Sequence, residues 1–455
     1  MPAFVLSTRH LVATRGGSLP DLLLQTAREI NVTVIIGDDW AEGHHDIEVM
    51  APDGRVLARF RVEENAAGLG TALSRLGELG IDGDDVVEVG IERDNGVWVT
   101  ALRGSGFRVY AVNPLQSARC RSRYSLAGAK NDARDAHVLA DMVRTDRAQL
   151  RLVADDTDTV EGLKVLARTH KTLIWERTRH LNRLRYNLIQ YFPAAVDAFT
   201  DLSAPESIEL LTKAPTPATA TRLTLTQIRA ALTHAKRRMI DTRASEIRAT
   251  LREPGHLGQP AELAAAHASA TVAILAVIAV LNTQIANLAE KVTSAFHTHP
   301  QARIYTSQPG MGPILGARAL AEFGDAPVRY RTAKARRNFA GTSPVTQQSG
   351  KRTVVSRRYV HNDRLLDTLT RQAFTAIRVS PGARSYYDRQ RQRGVAHEAA
   401  LRHVANRLVG ILHGCLATDT LYDETIAWKE LADNTSRKDR PDCLLTSLSH
   451  GMSFR

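Results

Sequence analysis

The hydrophobic period of this chain changes once, near residue 155, and that change limits the folds open to it. Before it, short apolar runs rich in β-branched residues alternate with stretches of helical spacing. Beyond it, apolar residues recur at intervals of three and four over tens of residues. A chain so patterned buries a sheet in its first third and packs helices in the rest. The first buried strand is the run Val32-Thr33-Val34-Ile35-Ile36, closed by Gly37-Asp38-Asp39. Residues 45–50 and 55–62 make two more strands, joined by the turn Pro52-Asp53-Gly54. Helices over 68–79, 97–103 and 132–144 then alternate with strands over 86–91 and 107–112.

Three strands in meander, followed by alternating helices and strands, predict a mixed α/β sheet of ribonuclease H-like layout, where carboxylates collect at the ends of central strands. Past residue 155, Leu166, His170, Leu173, Arg177, Leu181, Leu184 and Leu188 keep the three-four spacing until Pro193 ends the helix. A second long helix covers 261–296, and Pro205, Pro215, Pro217 and Pro254 punctuate the interval. The pair reads as a coiled-coil spacer or oligomerisation arm. A last folded part begins near Ile304. There Pro309-Gly310-Met311-Gly312-Pro313, leading into a helix over 314–322, has the form of a helix-hairpin-helix turn that offers backbone N–H groups to phosphate. A plain interhelical turn uses the same residues. The expected organisation is a flexible leader over 1–31 with a short helix at 21–30, an α/β domain over 32–154, a helical coiled-coil insertion over 155–298, a mostly α domain over 299–424 and a polar tail over 425–455.

Charge narrows the partners. Lys and Arg number 60 against 48 Asp and Glu, a net charge of +12 over 455 residues. Such a surplus suits a polyanion, DNA or RNA, because neutralising phosphates releases condensed counterions. The three cysteines, Cys120, Cys415 and Cys443, lack metal-ligand spacing and imply neither a disulfide framework nor a zinc site, as in a reducing cytoplasm. The most apolar run, residues 271–281, is short of the ~20 residues of a bilayer span, so no membrane association is expected.

Four carboxylates stand out by position. Asp39 follows the first strand, Glu92 follows the strand ending at Ile91, and Asp132 and Asp135 lie three apart at the start of a helix, facing one way. Gathered together they would repel one another unless a divalent cation neutralised them. Mg²⁺, or Mn²⁺, is the hard, oxygen-preferring ion for such a site. Two ions about 3.5–4 Å apart can stabilise both the attacking and the leaving oxygen of a phosphoryl displacement. Asp38, Glu88 and Asp94 compete with these positions, and Asp132 has the placement of a helix N-cap.

Between Asp325 and Asp363 there is no acidic residue, while Arg329, Arg331, Lys334, Arg336, Arg337, Lys351, Arg352, Arg357 and Arg358 crowd the interval. Nine positive charges without a local partner predict contact with phosphates. Within it runs Phe339-Ala340-Gly341-Thr342-Ser343-Pro344-Val345-Thr346-Gln347-Gln348-Ser349-Gly350-Lys351, where a Ser-Gly pair by itself is only a turn.

These segments resemble the motifs of one family. Gly37-Asp38-Asp39-Trp40-Ala41-Glu42-Gly43-His44-His45-Asp46 is similar to the first motif of the DEDD insertion-sequence transposases, which include Piv-type DNA invertases and bridge-RNA-guided serine recombinases. Their Gly-apolar-Asp triplet precedes Trp-Ala, which implies Asp39 as the first acid, although Asp38 stands here where an apolar residue is usual. Ile91-Glu92-Arg93 resembles the second motif. Asn113-Pro114, Arg119, Arg121, the run Ala129-Lys130-Asn131-Asp132-Ala133-Arg134-Asp135-Ala136 and Leu139-Ala140-Asp141 resemble the third. The serine segment, continued by Arg364-Leu365, Pro381-Gly382-Ala383, Tyr386-Tyr387, Gly394 and Ala400-Leu401-Arg402, resembles the family's C-terminal domain.

The resemblance implies a RuvC-like domain whose Asp39, Glu92, Asp132 and Asp135 hold Mg²⁺, and a nucleophile at Ser349, with Ser343 the fallback. It further implies target and donor DNA as substrates, a guide RNA encoded by the element, and a dimer or tetramer whose sites are composite. A serine attacking phosphorus conserves the phosphodiester energy in a covalent link, so rejoining needs no ATP. A metal-dependent junction endonuclease using water, and a nucleic-acid-binding protein without activity, remain the rival readings.

Overall fold

The structure, a computed structural model, describes residues 32–81, 85–121, 132–153, 155–255, 257–327, 329–349, 352–358 and 361–429. The expected leader, its helix and nearly all of the tail lie outside the described residues. The chain forms two compact units, Met1–Ala154 and Asp155–Arg455.

The first unit is built on a six-stranded sheet of order β3-β2-β1-β4-β5-β6. Its strands are β1 (Val32–Ala41), β2 (His44–Met50), β3 (Val56–Glu63), β4 (Val86–Ile91), β5 (Arg108–Ala111) and β6 (Arg151–Leu152). β1 is antiparallel to β2 and parallel to β4, so the sheet is mixed, as the pattern of runs predicts. The first strand does not close at Gly37. It continues to Ala41 because β2 pairs with it as far as the hairpin, Asp39 opposite Asp46 and Ala41 opposite His44. Asp38 and Asp39 therefore both lie within a strand and point to opposite faces.

One face of the sheet carries Val34, Ile36, Val89 and Ile91 and packs on the helices Ala66–Glu78 and Val97–Gly104. The other carries Ile35 and Met50 against the helix Asp132–Asp146. That helix lies almost on bare backbone. A Cβ on Gly37 would stand 1.8 Å from the Ala136 carbonyl oxygen, and one on Gly90 would stand 2.7 Å from that of Leu139. Gly37 and Gly90 are register partners across β1 and β4, so together they make the groove the helix occupies. A further helix, Pro114–Arg121, was not legible: its residues Pro-Leu-Gln-Ser-Ala-Arg-Cys-Arg show no apolar stripe.

In the second unit the long helices Asp158–Tyr191 and Ala261–His297 pack along one another. They bridge two cores. Val160, Leu163, Ala167, Val292 and Phe296 join the cluster built by the C-terminal helices. Leu184, Leu188, Leu275 and Ile278 join a second cluster made with five short helices between Pro193 and Leu251. Three prolines of that interval open helices: Pro193, Pro205 and Pro217 each sit in a first turn, where the missing N–H costs nothing.

The helix Ala261–His297 is more apolar than the run at 271–281 suggests. A window of mean hydropathy 2.2, 22% buried, makes it long and apolar enough to cross a membrane. Its neighbour nevertheless sets polar groups against it: Arg177 donates to Asn282 (2.9 Å), and Asn187 to Thr271 (2.9 Å) and the His267 carbonyl (3.0 Å).

The C-terminal part is mostly helical, with one antiparallel hairpin, β7 (Val345–Ser349) and β8 (Arg352–Ser356). The turn at Gly310 is packed: this glycine has φ 72°, and a Cβ there would meet the Gln372 carbonyl at 2.7 Å. Its glycine serves close helix packing. The segment after Asp423 is not featureless. A short helix, Glu424–Ala427, delivers Trp428 into the core against Gly382, where an added Cβ would lie 2.2 Å from the indole.

Candidate active site

Strand alternation separates the two acids of the first motif. Asp38 is 1% exposed and accepts from His45 Nδ1 and from Trp98 Nε1, each at 2.7 Å. His45 stacks on Trp98 with centroids 4.2 Å apart. A buried carboxylate answered by two donors is a structural anchor, so Asp38 belongs to the fold. Asp39 is half-buried and shares its face with Gly37, the face that the helix Asp132–Asp146 covers.

The rival acids are likewise occupied. Glu88 is buried in mid-strand and accepts from Arg147 Nη1 (2.9 and 3.2 Å) and the Tyr110 hydroxyl (3.1 Å). Burial, then the Glu88 charge, pushes the Tyr110 phenol up to about 12. Asp94 is paired with Arg151.

Glu92 and Asp135 come together. Glu92 emerges at the end of β4, next to the strand that carries Asp39. Asp135, 7% exposed, lies in the first turn of the helix seated on Gly37. Between them reaches Arg121: its Nη1 donates to both Asp135 oxygens at 3.0 and 2.9 Å, and its Nη2 lies 3.9 Å from Glu92 Oε1. Ser117, one turn earlier on the same helix, donates its hydroxyl to Glu92. The helix Pro114–Arg121 thus supplies two site residues. Sequence reasoning had quoted Arg121 for its motif but gave it no role, and Ser117 carried no signal. Asp132, the first described residue of the helix, stands one turn before Asp135, and its side chain lies outside the described ones. Among the described residues no three potential metal ligands are gathered. The described part of the site is the pair Glu92 and Asp135, all-oxygen donors that already share a cation, Arg121. Such a donor set fits a hard divalent ion.

In the second unit, β7 pairs with β8 from Val345 opposite Ser356 to Ser349 opposite Arg352. Ser349 is thereby the last paired residue before the two-residue connection Gly350-Lys351. The side chains of Ser349 and Arg352, and Gly350 and Lys351 altogether, are outside the described set. Ser343 lies upstream in a loop, its hydroxyl 3.4 Å from Asn406 Oδ1, an acceptor it shares with Thr342 (3.1 Å).

The basic interval is not uniform. Arg329 does have an acidic partner: Asp156, 173 residues upstream, accepts from its Nη1 at 2.6 Å. The expectation of nine partnerless charges fails there, because folding brings in an acid that no local window contains. Arg336 stacks over Tyr330 (4.5 Å) and Phe323 (5.0 Å), with Nε and Nη1 buried and lacking hydrogen bonds. Arg337 lies against Gly410, its pKa lowered by burial and by Arg407. Arg358 reaches Asn338 (3.4 Å). Arg331, Lys334 and Arg357 are exposed. Burial and the neighbouring Arg336 and Arg337 hold His413 below the usual imidazole range, a sign of a locally positive field.

Residues 36–193 match a family model described as a transposase, and residues 302–388 match that of the transposase IS116/IS110/IS902 family. The "mini-circle putative transposase for IS117" of Streptomyces coelicolor is 38% identical over 408 residues, covering 89% of this chain and 98% of its own. The insertion element IS116 44.8 kDa protein of Streptomyces clavuligerus is 29% identical, over 85% and 95% of the two chains. The insertion element IS900 42 kDa protein of Mycobacterium paratuberculosis is 28% identical, over 85% and 96%. Two family models flanking a helical middle, and a relative matched nearly end to end, lead to one conclusion: this chain belongs to the IS116/IS110/IS902 family of transposases.

Proposed function

We propose that this transposase cuts and rejoins DNA through Ser349, with a divalent metal held by Asp39, Glu92, Asp132 and Asp135. The observation that carries the reading is the meeting of Glu92 and Asp135 on one guanidinium, where β4 ends beside the strand that carries Asp39. Mg²⁺, when bound, supplies Lewis-acid stabilisation of phosphate oxygens. The chain's own residues do the rest. Ser349 Oγ gives up its proton and bonds to phosphorus as the bond to the leaving deoxyribose oxygen breaks, and that oxygen takes up a proton in turn, so the exchange is proton-neutral. The reverse displacement, by the hydroxyl of a new strand, frees the serine and reseals DNA with no external energy source. Arg331, Lys334 and Arg357, exposed near the hairpin in sequence, neutralise backbone phosphates. Lys351, Arg352 and Arg358 join them, while Arg329, Arg336 and Arg337 support them from within the fold.

Under this reading the enzyme acts in the cytoplasm on nucleoid DNA, as a dimer or tetramer whose protomers share composite sites. A guide RNA encoded by the element selects target and donor, a role the basic surplus allows. The test is cleavage of a donor-end duplex by full-length protein in Mg²⁺. Ser349→Ala is expected to lose all covalent protein–DNA adduct, and Asp135→Asn at least 10³-fold of the cutting rate, roughly 4 kcal/mol of barrier. Full cutting by Ser349→Ala would shift the assignment to a water-using junction endonuclease. RNA recovered from the purified protein, and loss of cutting on its removal, is the expected result for guidance.

A further inference from the structure

We propose that Arg121 is the resident counter-ion of the carboxylate site and competes with the divalent metal for Asp135 and Glu92. The inference rests on the function proposed above and adds a residue and an order of events to it. Three observations support it. Arg121 Nη1 bonds both oxygens of Asp135, at 3.0 and 2.9 Å, and so occupies the bidentate edge of that carboxylate. Its Nη2 is 3.9 Å from Glu92, so one guanidinium neutralises two acids that would otherwise repel. Asp135 itself is 7% exposed, which leaves it little water to solvate its charge.

The arginine can leave. Its side chain is 32% exposed, so rotation about its own side-chain bonds moves the guanidinium without unfolding a turn. Ser117 stays on Glu92 and keeps that carboxylate oriented. Metal binding and arginine release are then one exchange: the ion takes the carboxylate oxygens, and the freed guanidinium becomes available to a DNA phosphate at the same site. The geometry makes Arg121 a positioning residue that holds the acids together before the ion arrives.

Exchange has a signature that a purely structural arginine lacks. Full-length protein, Arg121→Gln, Arg121→Lys and Asp135→Asn are titrated with Mn²⁺ by isothermal calorimetry, and each is melted with and without the ion. Removing the competitor is expected to tighten Mn²⁺ binding about tenfold in Arg121→Gln, the scale of one lost charge-assisted contact. Arg121→Lys, which keeps charge but not the fork, falls between. Metal-free Arg121→Gln melts lower than wild type, and saturating Mn²⁺ closes the gap. Equal or weaker Mn²⁺ binding by Arg121→Gln, with wild type binding normally, overturns the proposal. If Arg121→Gln is insoluble, Arg121→Lys decides by the same criterion. Asp135→Asn separates the two ideas: Mn²⁺ affinity unchanged by that substitution defeats the metal site itself, whatever Arg121 does.

Discussion

Asp38 and Asp39 are neighbours on opposite faces of β1, and one substitution at each tests the duties proposed for them. Asp38 answers two buried donors, and an asparagine there offers a single acceptor oxygen to both His45 and Trp98. One N–H then faces an amide NH₂ in a dry site. Leaving a buried donor unsatisfied costs about 1–3 kcal/mol. Asp38→Asn is therefore expected to lower unfolding free energy by about 2 kcal/mol in urea titration, while Asp39→Asn is expected to lose cutting. The reverse pattern would exchange their roles. The motif pointed to Asp39, but local reasoning left the pair undecided, because a strand taken to end at Gly37 gives neither acid a face. Only the pairing of β2 out to Ala41 does. Glu88 was undecided for a similar reason: its partner, Arg147, is 59 residues away.

At the scale of elements, the sheet was legible because β-branched runs and turn residues are local signals, and four of the five expected strands recur within a residue or two at each end. The exception, the first, runs on to Ala41. What was not legible is how the elements touch. Gly37 reads as a turn glycine, yet it and Gly90 let the helix Asp132–Asp146 settle on the backbone of β1 and β4. This contact sets the height of Asp135 above Glu92. Gly37→Ala must push the helix outward, with overpacking that costs about 1–3 kcal/mol. It is expected to lower the melting temperature and to reduce cutting by more than the loss of folded protein accounts for. A variant that melts low but cuts normally per folded molecule would show that the seat governs stability alone. The helix Pro114–Arg121 escaped notice because a polar eight-residue segment has no period to read. Trp428 escaped because its receptor, Gly382, lies 46 residues before it.

For the whole molecule, the chain divides into two compact units at Ala154 and Asp155. The core of the helical interval between the long helices was not legible, since it depends on residues of those flanking helices. One face of the helix Ala261–His297 bears on the proposed oligomer. Ala266, Ala270, Ala273, Val277 and Val280 are exposed at alternating intervals of four and three, with no charged side chain among residues 263–289. That is the spacing of a two-helix seam. Val277→Asp with Val280→Asp is expected to reduce the molar mass by light scattering toward that of one chain, and an unchanged mass would place the interface elsewhere. The same helix has a mechanical side. Its 37 residues extend roughly 55 Å at about 1.5 Å per residue, joining the core that carries the Ser349 hairpin to the five-helix core at the other end. A stiff rod fixed in two cores is a lever, and a tilt of about 5° at one end sweeps the other by about 5 Å. Whatever grips the five-helix end thus gains leverage, over more than the width of a phosphate, on the position of the Ser349 hairpin.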